Sequence, residues 1–115
     1  MSKNNPITEL ENLKIRAREL ANEMDAMGTT KANAEKEYRV ALNKKVLELK
    51  DEGMTATLIS MVIYGYEEIA EKRAKRDIAE SSYEVIREKI QLIKKEMTSI
   101  ENQLQRDWND TKYEV

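Results

Sequence analysis

Cysteine and histidine are both absent from the 115 residues of the chain. Their absence excludes disulfide bonds, thiolate and imidazole metal ligands, and nucleophile–base pairs that use either side chain. Paired carboxylates remain as a route to catalysis, but they need an enclosed site that raises one pKa or strips a metal ion of water. Two or three helices rarely form such an enclosure. The sequence therefore predicts a protein that is not an enzyme and that carries no metal and no cofactor.

Residues that break helices are also scarce, with one proline and three glycines, and phenylalanine is absent. Charged residues make up 37% of the chain, which is rich in Ala, Glu, Lys, Leu and Arg. This composition is typical of long helices. A chain of this length has room for one well-buried core but not for two. We therefore predict a single all-α domain over residues 1–115.

Long apolar runs are missing as well, since no stretch approaches the roughly 18 apolar residues of a membrane span. The start, MSKNNPITELENLK, has no apolar segment after its basic residue, so we expect no secretory signal. The 20 basic residues nearly balance the 22 acidic ones. This balance gives no long-range attraction to nucleic acid or to an anionic membrane. We expect a soluble, cytoplasmic protein without membrane contact.

Apolar residues at steps of three and four predict a first long helix over residues 6–51. Pro6 stands where helices often begin. The apolar seam of this helix includes Leu10, Leu13, Leu20 and Met24. Residues 28–30, Gly-Thr-Thr, are the place where the helix would kink or break, yet the same register continues beyond them. We therefore favour one helix that runs through this point.

The segment DEGMTAT predicts a corner after the first helix. Gly53 can adopt the positive φ of a helix C-cap, and Thr55 can cap a new helix. The apolar stretch ATLISMVIYGY then predicts a short buried helix over residues 55–64, ended by Gly65. A strand would suit its β-branched residues but would lack a partner strand.

No glycine or proline interrupts residues 66–108, which we predict as the second long helix, followed by a frayed tail over 109–115. Its apolar seam repeats in heptads over Tyr83, Ile86, Ile90, Ile93, Met97, Ile100 and Leu104. Trp108 stands one position off this register, and we expect it to plug the end of the hairpin or of an oligomer interface. The predicted fold is a coiled-coil-like hairpin of two long antiparallel helices with a short apolar helix at the corner.

Self-association is expected, because a two-helix hairpin buries little surface for its length. Ile15, Val85 and Leu92 flank the two seams. They are either partly buried within the monomer or part of a further contact face. We predict a homo-oligomer and leave both roles open for these three residues.

Two basic clusters come together near the corner of such a hairpin, and tyrosines lie beside them. Cations neutralise phosphates and aromatic rings stack on unpaired bases, the combination that single-strand binders use. The candidate nucleic-acid-binding residues are Lys44, Lys45, Tyr64, Tyr66, Lys72, Arg73, Lys75 and Arg76.

The alternative interpretation of the basic cluster is a solvated helix face. Pairs spaced i to i+4 can neutralise each other there, namely Glu68 with Lys72, Glu71 with Lys75, and Arg73 with Asp77. Four acids balance four bases across residues 67–77, which favours this interpretation. The tyrosines would then cover the apolar helix of the corner.

The stretch GYEEIAEKRAKRDIAESSYEVIREKIQLIKKEM resembles small helical proteins of bacteriophages. In those proteins a glycine after an apolar corner leads into a basic helix with an Arg-Asp pair, an aromatic residue six positions later and a lysine-rich isoleucine repeat. The matching features here are Gly65, Arg76–Asp77, Tyr83 and residues 86–95. The layout is also similar to phage recombination mediators of the UvsY type.

That resemblance implies an oligomeric, non-enzymatic protein of the host cytoplasm that binds single-stranded DNA and helps to load a recombinase in recombination or replication. The basic residues of the corner would then hold the DNA, and the seam would build the oligomer. The alternative is a protein-interaction module that docks on a phage or host protein and modulates or inhibits it, without nucleic-acid contact.

Overall fold

Every regular element is a helix in the computed structural model, which describes residues 5–112. The order is α1 (Pro6–Asp51), α2 (Ala56–Val62), a 3-10 turn (Ile63–Gly65) and α3 (Glu67–Lys112). The two long helices α1 and α3 pack against each other. This arrangement confirms the predicted all-α helical hairpin.

Helix α1 begins with a side-chain cap and continues through its glycine. The Asn5 side-chain oxygen accepts a hydrogen bond from the Ile7 N–H at 2.8 Å, which satisfies one of the unpaired donors of the first turn. Residues 28–30 are helical, and the Thr30 hydroxyl donates to the Ala26 carbonyl at 3.2 Å. The helix therefore continues where a break was the alternative.

The corner has the predicted cap residues. Gly53 has φ +90°, and its N–H donates to the Lys50 carbonyl. The Thr55 side chain accepts a hydrogen bond from the Leu58 N–H at 3.3 Å and caps α2. Helix α2 is shorter than the predicted span 55–64, because Thr55 stays outside as the cap and the chain tightens into the 3-10 turn after Val62.

Helix α3 extends further than predicted. Residues 109–112 are helical, so a frayed tail from 109 onward is wrong for these four residues, and 113–115 lie outside the described range. Side chains support the last turns: the Gln105 amide donates to the Asn109 side-chain oxygen at 3.3 Å, and the Thr111 hydroxyl donates to the Asp107 carbonyl at 2.9 Å. No glycine or proline stops the helix before these contacts form.

The sequence predicts one domain, and the chain groups into two compact units that each draw on both long helices. Unit 1 combines the residues up to Asp25 with those from Val85 onward, and unit 2 is Ala26–Glu84. The core of unit 2 has two clusters that share contacts with Leu42 and Tyr66. The clusters are Tyr38, Ala41 and Ile69, and Leu49, Ile59 and Ile63.

The predicted seam residues of unit 1 lie inside its packing. Leu20, Ile86 and Ile93 are buried. The others are half-buried: Leu10, Leu13, Met24, Ile90, Met97, Ile100 and Leu104. Tyr83, the last seam residue of unit 2, is also half-buried.

Five large apolar residues of unit 1 are exposed, namely Ile7, Ile15, Val85, Leu92 and Trp108. Trp108 is 65% exposed and does not plug the hairpin, because Asp107 takes the next seam position three residues after Leu104. Ile15, Val85 and Leu92 are exposed too, and about half of the surface of each side chain is available for a further contact. Within residues 5–112, no helix has an apolar stretch long enough to cross a membrane.

Candidate functional site at the corner

Two cations of the basic cluster belong to the seam of unit 2. Counting back from Tyr83 in steps of four and three, through Ala79, leads to Arg76 and Lys72 and then to the buried Ile69. Both cations are half-buried, and the Arg76 side chain is only 21% exposed. The heptad register of α3 therefore turns these two cations toward α1 rather than toward solvent.

Acidic residues of α1 form ion pairs with these cations. The Glu37 carboxylate lies 3.0 Å from the Lys75 ammonium and 3.8 Å from that of Lys72. The hydrogen bond from Lys75, with the charges of Lys75 and Lys72, lowers the pKa of Glu37 below its ordinary value. Three of the candidate lysine and arginine residues thus engage α1, since Arg76 also lies 3.6 Å from Glu35.

Arg76 has two further partners. Its guanidinium lies 2.9 Å from the Asp77 carboxylate, and the hydrogen bond between them is the main reason that the pKa of Arg76 is raised. The same group lies over the Tyr38 ring, 4.5 Å from its centroid. Arg76 is therefore a packing residue of unit 2 as well as a charge.

Cations also cover the two candidate tyrosines. The Arg73 guanidinium lies 4.8 Å from the centroid of Tyr64, and the Lys45 ammonium lies 4.4 Å from that of Tyr66. Tyr66 is half-buried and packs against both core clusters. A nucleic-acid base would have to displace these cations to stack on the faces that they occupy.

The predicted i to i+4 ion pairs of the cluster are absent from residues 5–112. Lys72 and Lys75 pair with Glu37 instead, and Asp77 pairs with Arg76. The seam register explains the difference, because it aims Lys72 and Arg76 across to α1 rather than along α3. The sequence did contain a signal for these contacts, because the seam spacing of Tyr83 and Ala79, counted backward, leads to Arg76 and Lys72. That spacing shows that the two cations face α1, but it does not identify Glu35 and Glu37 as their partners.

A groove of about 410 Å³ is lined by residues from both basic clusters. Lys44 and Lys72 line it, as do Lys36, Val40 and the acidic Glu37 and Glu68. Lys36 and Lys44 are exposed and have no ion pair within the described part of the chain. Lys36, which the sequence analysis did not single out, lies eight residues before Lys44 and brackets Val40 with it.

An exposed apolar surface lies on the corner itself. Helix α2 buries Ile59, and Ile63 of the following turn is also buried. Leu58, Met61 and Tyr64 remain exposed, with Met61 at 76%. We call these three residues the corner surface.

Acidic residues that form no ion pair among the described residues lie on both sides of the corner surface in the sequence. Residues 51–71 contain no lysine or arginine. They contain five exposed acids, none of which has an ion pair within residues 5–112: Asp51, Glu52, Glu67, Glu68 and Glu71. Residues 51–71, which we call the tip of unit 2, are thus apolar and negatively charged, and the cations that form ion pairs with α1, Lys72, Lys75 and Arg76, lie outside this segment.

Comparison of the chain with protein-family models, curated proteins and solved structures found no match. Among residues 5–112, no group of three or more acidic side chains is arranged to hold a metal ion. The geometry of unit 2 is therefore the basis for a functional assignment.

Proposed function

We propose that the protein is a non-enzymatic helical interaction module that binds a protein partner through the corner surface. The observation that carries the proposal is the exposure of three large side chains, Leu58, Met61 and Tyr64, on one short helix and the turn that follows it. Clustered exposed apolar side chains are typical of protein-binding sites. A helix laid against a partner is a common binding mode for such a surface.

The anchoring of α2 supports this function. Ile59 and Ile63 are buried on one side of the segment, and Thr55 caps its first turn. The exposed side chains are therefore held on a fixed backbone, which lowers the entropy cost of binding. Methionine adds adaptability, because its flexible thioether fits differently shaped partners.

The internal contacts of the basic cluster also favour a protein partner over a nucleic acid. Lys72, Lys75 and Arg76 contact carboxylates, and Arg73 covers Tyr64. A phosphate backbone would have to compete with these internal partners for each cation. Within the corner surface, Tyr64 is the residue that a cation covers among the described residues, and the side chains of Leu58 and Met61 stay exposed, so a protein partner is the better-supported ligand.

A photo-crosslinking experiment in bacterial cells tests the proposal. A photoreactive amino acid replaces Met61 in one variant and Ile78 in the control, because Ile78 is a similarly exposed apolar residue of unit 2 outside the corner. We expect one discrete protein adduct from position 61 that resists nuclease and disappears when Leu58→Asp is added. No adduct from position 61, or an equal adduct from position 78, would contradict the proposal.

A single-stranded-DNA-binding recombination mediator is the second candidate function, and the groove supports it. Lys36 and Lys44 are the lysines of the groove that keep no internal ion pair among the described residues. They are therefore better candidates for phosphate contact than Lys72, whose charge is shared with Glu37. Two free lysines on one groove would give weak, strongly salt-dependent binding.

Fluorescence anisotropy of a labelled single-stranded oligonucleotide tests this candidate at low and at physiological salt. Lys36→Glu with Lys44→Glu should weaken binding, whereas Lys14→Glu with Lys89→Glu makes the same charge change in unit 1 and should leave it unchanged. Reversing Lys72 and Arg76 is less informative, because it also breaks their contacts with Glu37, Glu35 and Tyr38. Absence of binding at low salt would reject the candidate.

A further inference from the structure

We infer that the partner segment bound by the corner surface is a basic amphipathic helix, with lysine or arginine side chains beside an apolar stripe. The inference rests on the proposed function, because it names the partner class of the same surface. Electrostatic complementarity and the form of the surface each support it.

Four carboxylates of residues 51–71, Asp51, Glu52, Glu67 and Glu71, have no ion pair among the described residues and do not line the groove that holds Lys36 and Lys44. The first cations beyond residues 51–71 are Lys50 and Lys72. Lys72 is already shared with Glu37, and Arg73 next to it covers Tyr64. Of the five exposed carboxylates, Glu68 shares its groove with Lys36, Lys44 and Lys72, and the other four have no ion pair among the described residues. A partner with positive charge would be attracted, and a negative one repelled.

Two of the acids also lie where their own helix disfavours them. Asp51 is the last residue of α1, and Glu52 follows it directly. The C-terminal end of a helix carries a partial negative charge, which favours cations and repels carboxylates. Glu67 and Glu68 differ, because the first turn of α3 stabilises acids. Asp51 and Glu52 thus gain nothing from the helix end, and a basic partner would relieve their repulsion.

The form of the surface favours a helix as the bound segment. No strand is present in residues 5–112, so a peptide cannot bind by adding to a sheet edge. A shallow groove of about 370 Å³ runs beside Met61, lined also by Val62, Gly65 and Tyr66. The site of a Cβ on Gly65 has no atom within 4 Å, so this part of the groove is open. Apolar side chains of a helix, spaced three or four residues apart, can enter such a groove.

Calorimetric titration of the full-length protein tests the inference with model peptides. One peptide is an amphipathic helix of leucine and lysine, a second replaces every lysine by glutamate, and a third has the first composition in scrambled order. We expect saturable binding of the first peptide only, weakened by added salt. Met61→Asp should weaken that binding by about tenfold or more, because it puts a charge at the centre of the apolar contact.

A matched pair of charge variants separates the tip from the rest of the protein. The test variant neutralises the tip with Asp51→Asn, Glu52→Gln, Glu67→Gln and Glu68→Gln. The control makes the same charge change in unit 1 with Glu9→Gln, Glu11→Gln, Glu101→Gln and Asp110→Asn. We expect about tenfold weaker peptide binding for the test variant and little change for the control. All eight residues are exposed, and circular dichroism checks that both variants fold.

The outcomes distinguish the inference from the proposed function. Equal binding of the lysine and glutamate peptides, or an equal loss in both charge variants, overturns the basic-partner inference. So does an absence of peptide binding while the adduct at position 61 still forms, and in that case the proposed function stands. Failure of the adduct at position 61 overturns the proposed function itself.

Discussion

At the scale of single residues, two glycines have different backbone conformations: Gly28 is helical within α1, and Gly53, just after its end, has a positive φ. Gly28 lies inside the helix, and a Cβ there would meet the Tyr83 ring at 3.5 Å, an ordinary contact distance. We expect Gly28→Ala to raise the free energy of unfolding by about 0.5–1 kcal/mol, because alanine loses less backbone entropy in a helix. Urea titration followed by circular dichroism measures the change.

At Gly53 we expect the same substitution to have the opposite effect on the free energy of unfolding. Its φ of +90° is a conformation that alanine adopts only with strain. We expect Gly53→Ala to lower the free energy of unfolding by about 1 kcal/mol. An increase in the same urea titration would show that the corner does not require a positive φ, and a decrease for Gly28→Ala would show that the helix is not regular at residue 28.

The Glu37 carboxylate predicts a pH dependence of stability. Its pKa is lowered in the folded protein, mainly by the hydrogen bond from Lys75. A lowered folded pKa stabilises the protein above the unfolded value, ordinarily 4.5, and the gain is lost as pH falls through the folded value. We expect Glu37→Gln to be less stable than wild type at neutral pH and equally stable well below pH 4.5. A difference that persists in acid would assign the effect to packing instead.

At the scale of elements, the attachment of α3 to α1 in unit 2 depends on few buried side chains. Ile69 has an exposed fraction of 0%, whereas Ile78 on the same helix is 67% exposed. We expect Ile69→Ala to cost about 2–5 kcal/mol through lost burial and the cavity left behind, and Ile78→Ala to cost less than about 0.5 kcal/mol. Chemical denaturation of both variants measures the two costs. Similar costs would show that the heptad register is not the one that packs.

The elements themselves were predictable because their signals are local. Pro6, Gly53 and Thr55 mark helix ends by their own backbone preferences, and the heptad steps continue through Gly28. The contacts of the basic cluster were not predictable in the same way. Glu37 is separated from Lys75 by 38 residues, so the pair depends on the register between two helices and not on spacing within one.

The polar residues in the seams explain why that register was hard to recognise. The apolar steps of α3 are interrupted at Lys72 and Arg76, and those of α1 at Lys31 and Lys45. Each of these four is half-buried, and three of them lie over tyrosine rings, which long cations do by burying their stems. A search for apolar residues alone stops where these cations begin, and it assigns them to the solvent face.

At the scale of the whole molecule, the expected self-association has to use a face other than the seams. The seams already pack within each unit, so they are not free to build an oligomer of intact hairpins. Val85 and Leu92 are exposed and seven residues apart on α3, a spacing that is typical of a further coiled-coil contact. We expect this pair to contact a second copy of the chain.

A pair of double variants tests that expectation through the mass in solution. Val85→Glu with Leu92→Glu should reduce the mass from light scattering to the 13.4 kDa of one chain. Ala26→Glu with Asn33→Glu adds the same two charges at the same spacing on exposed residues of α1 that carry no large apolar side chain, and it should leave the oligomer intact. The thermal midpoint of the wild type should rise with protein concentration, because association stabilises the folded chain by mass action. A wild-type mass of one chain with a midpoint independent of concentration would show that the hairpin is stable alone, so that its exposed apolar residues serve other partners.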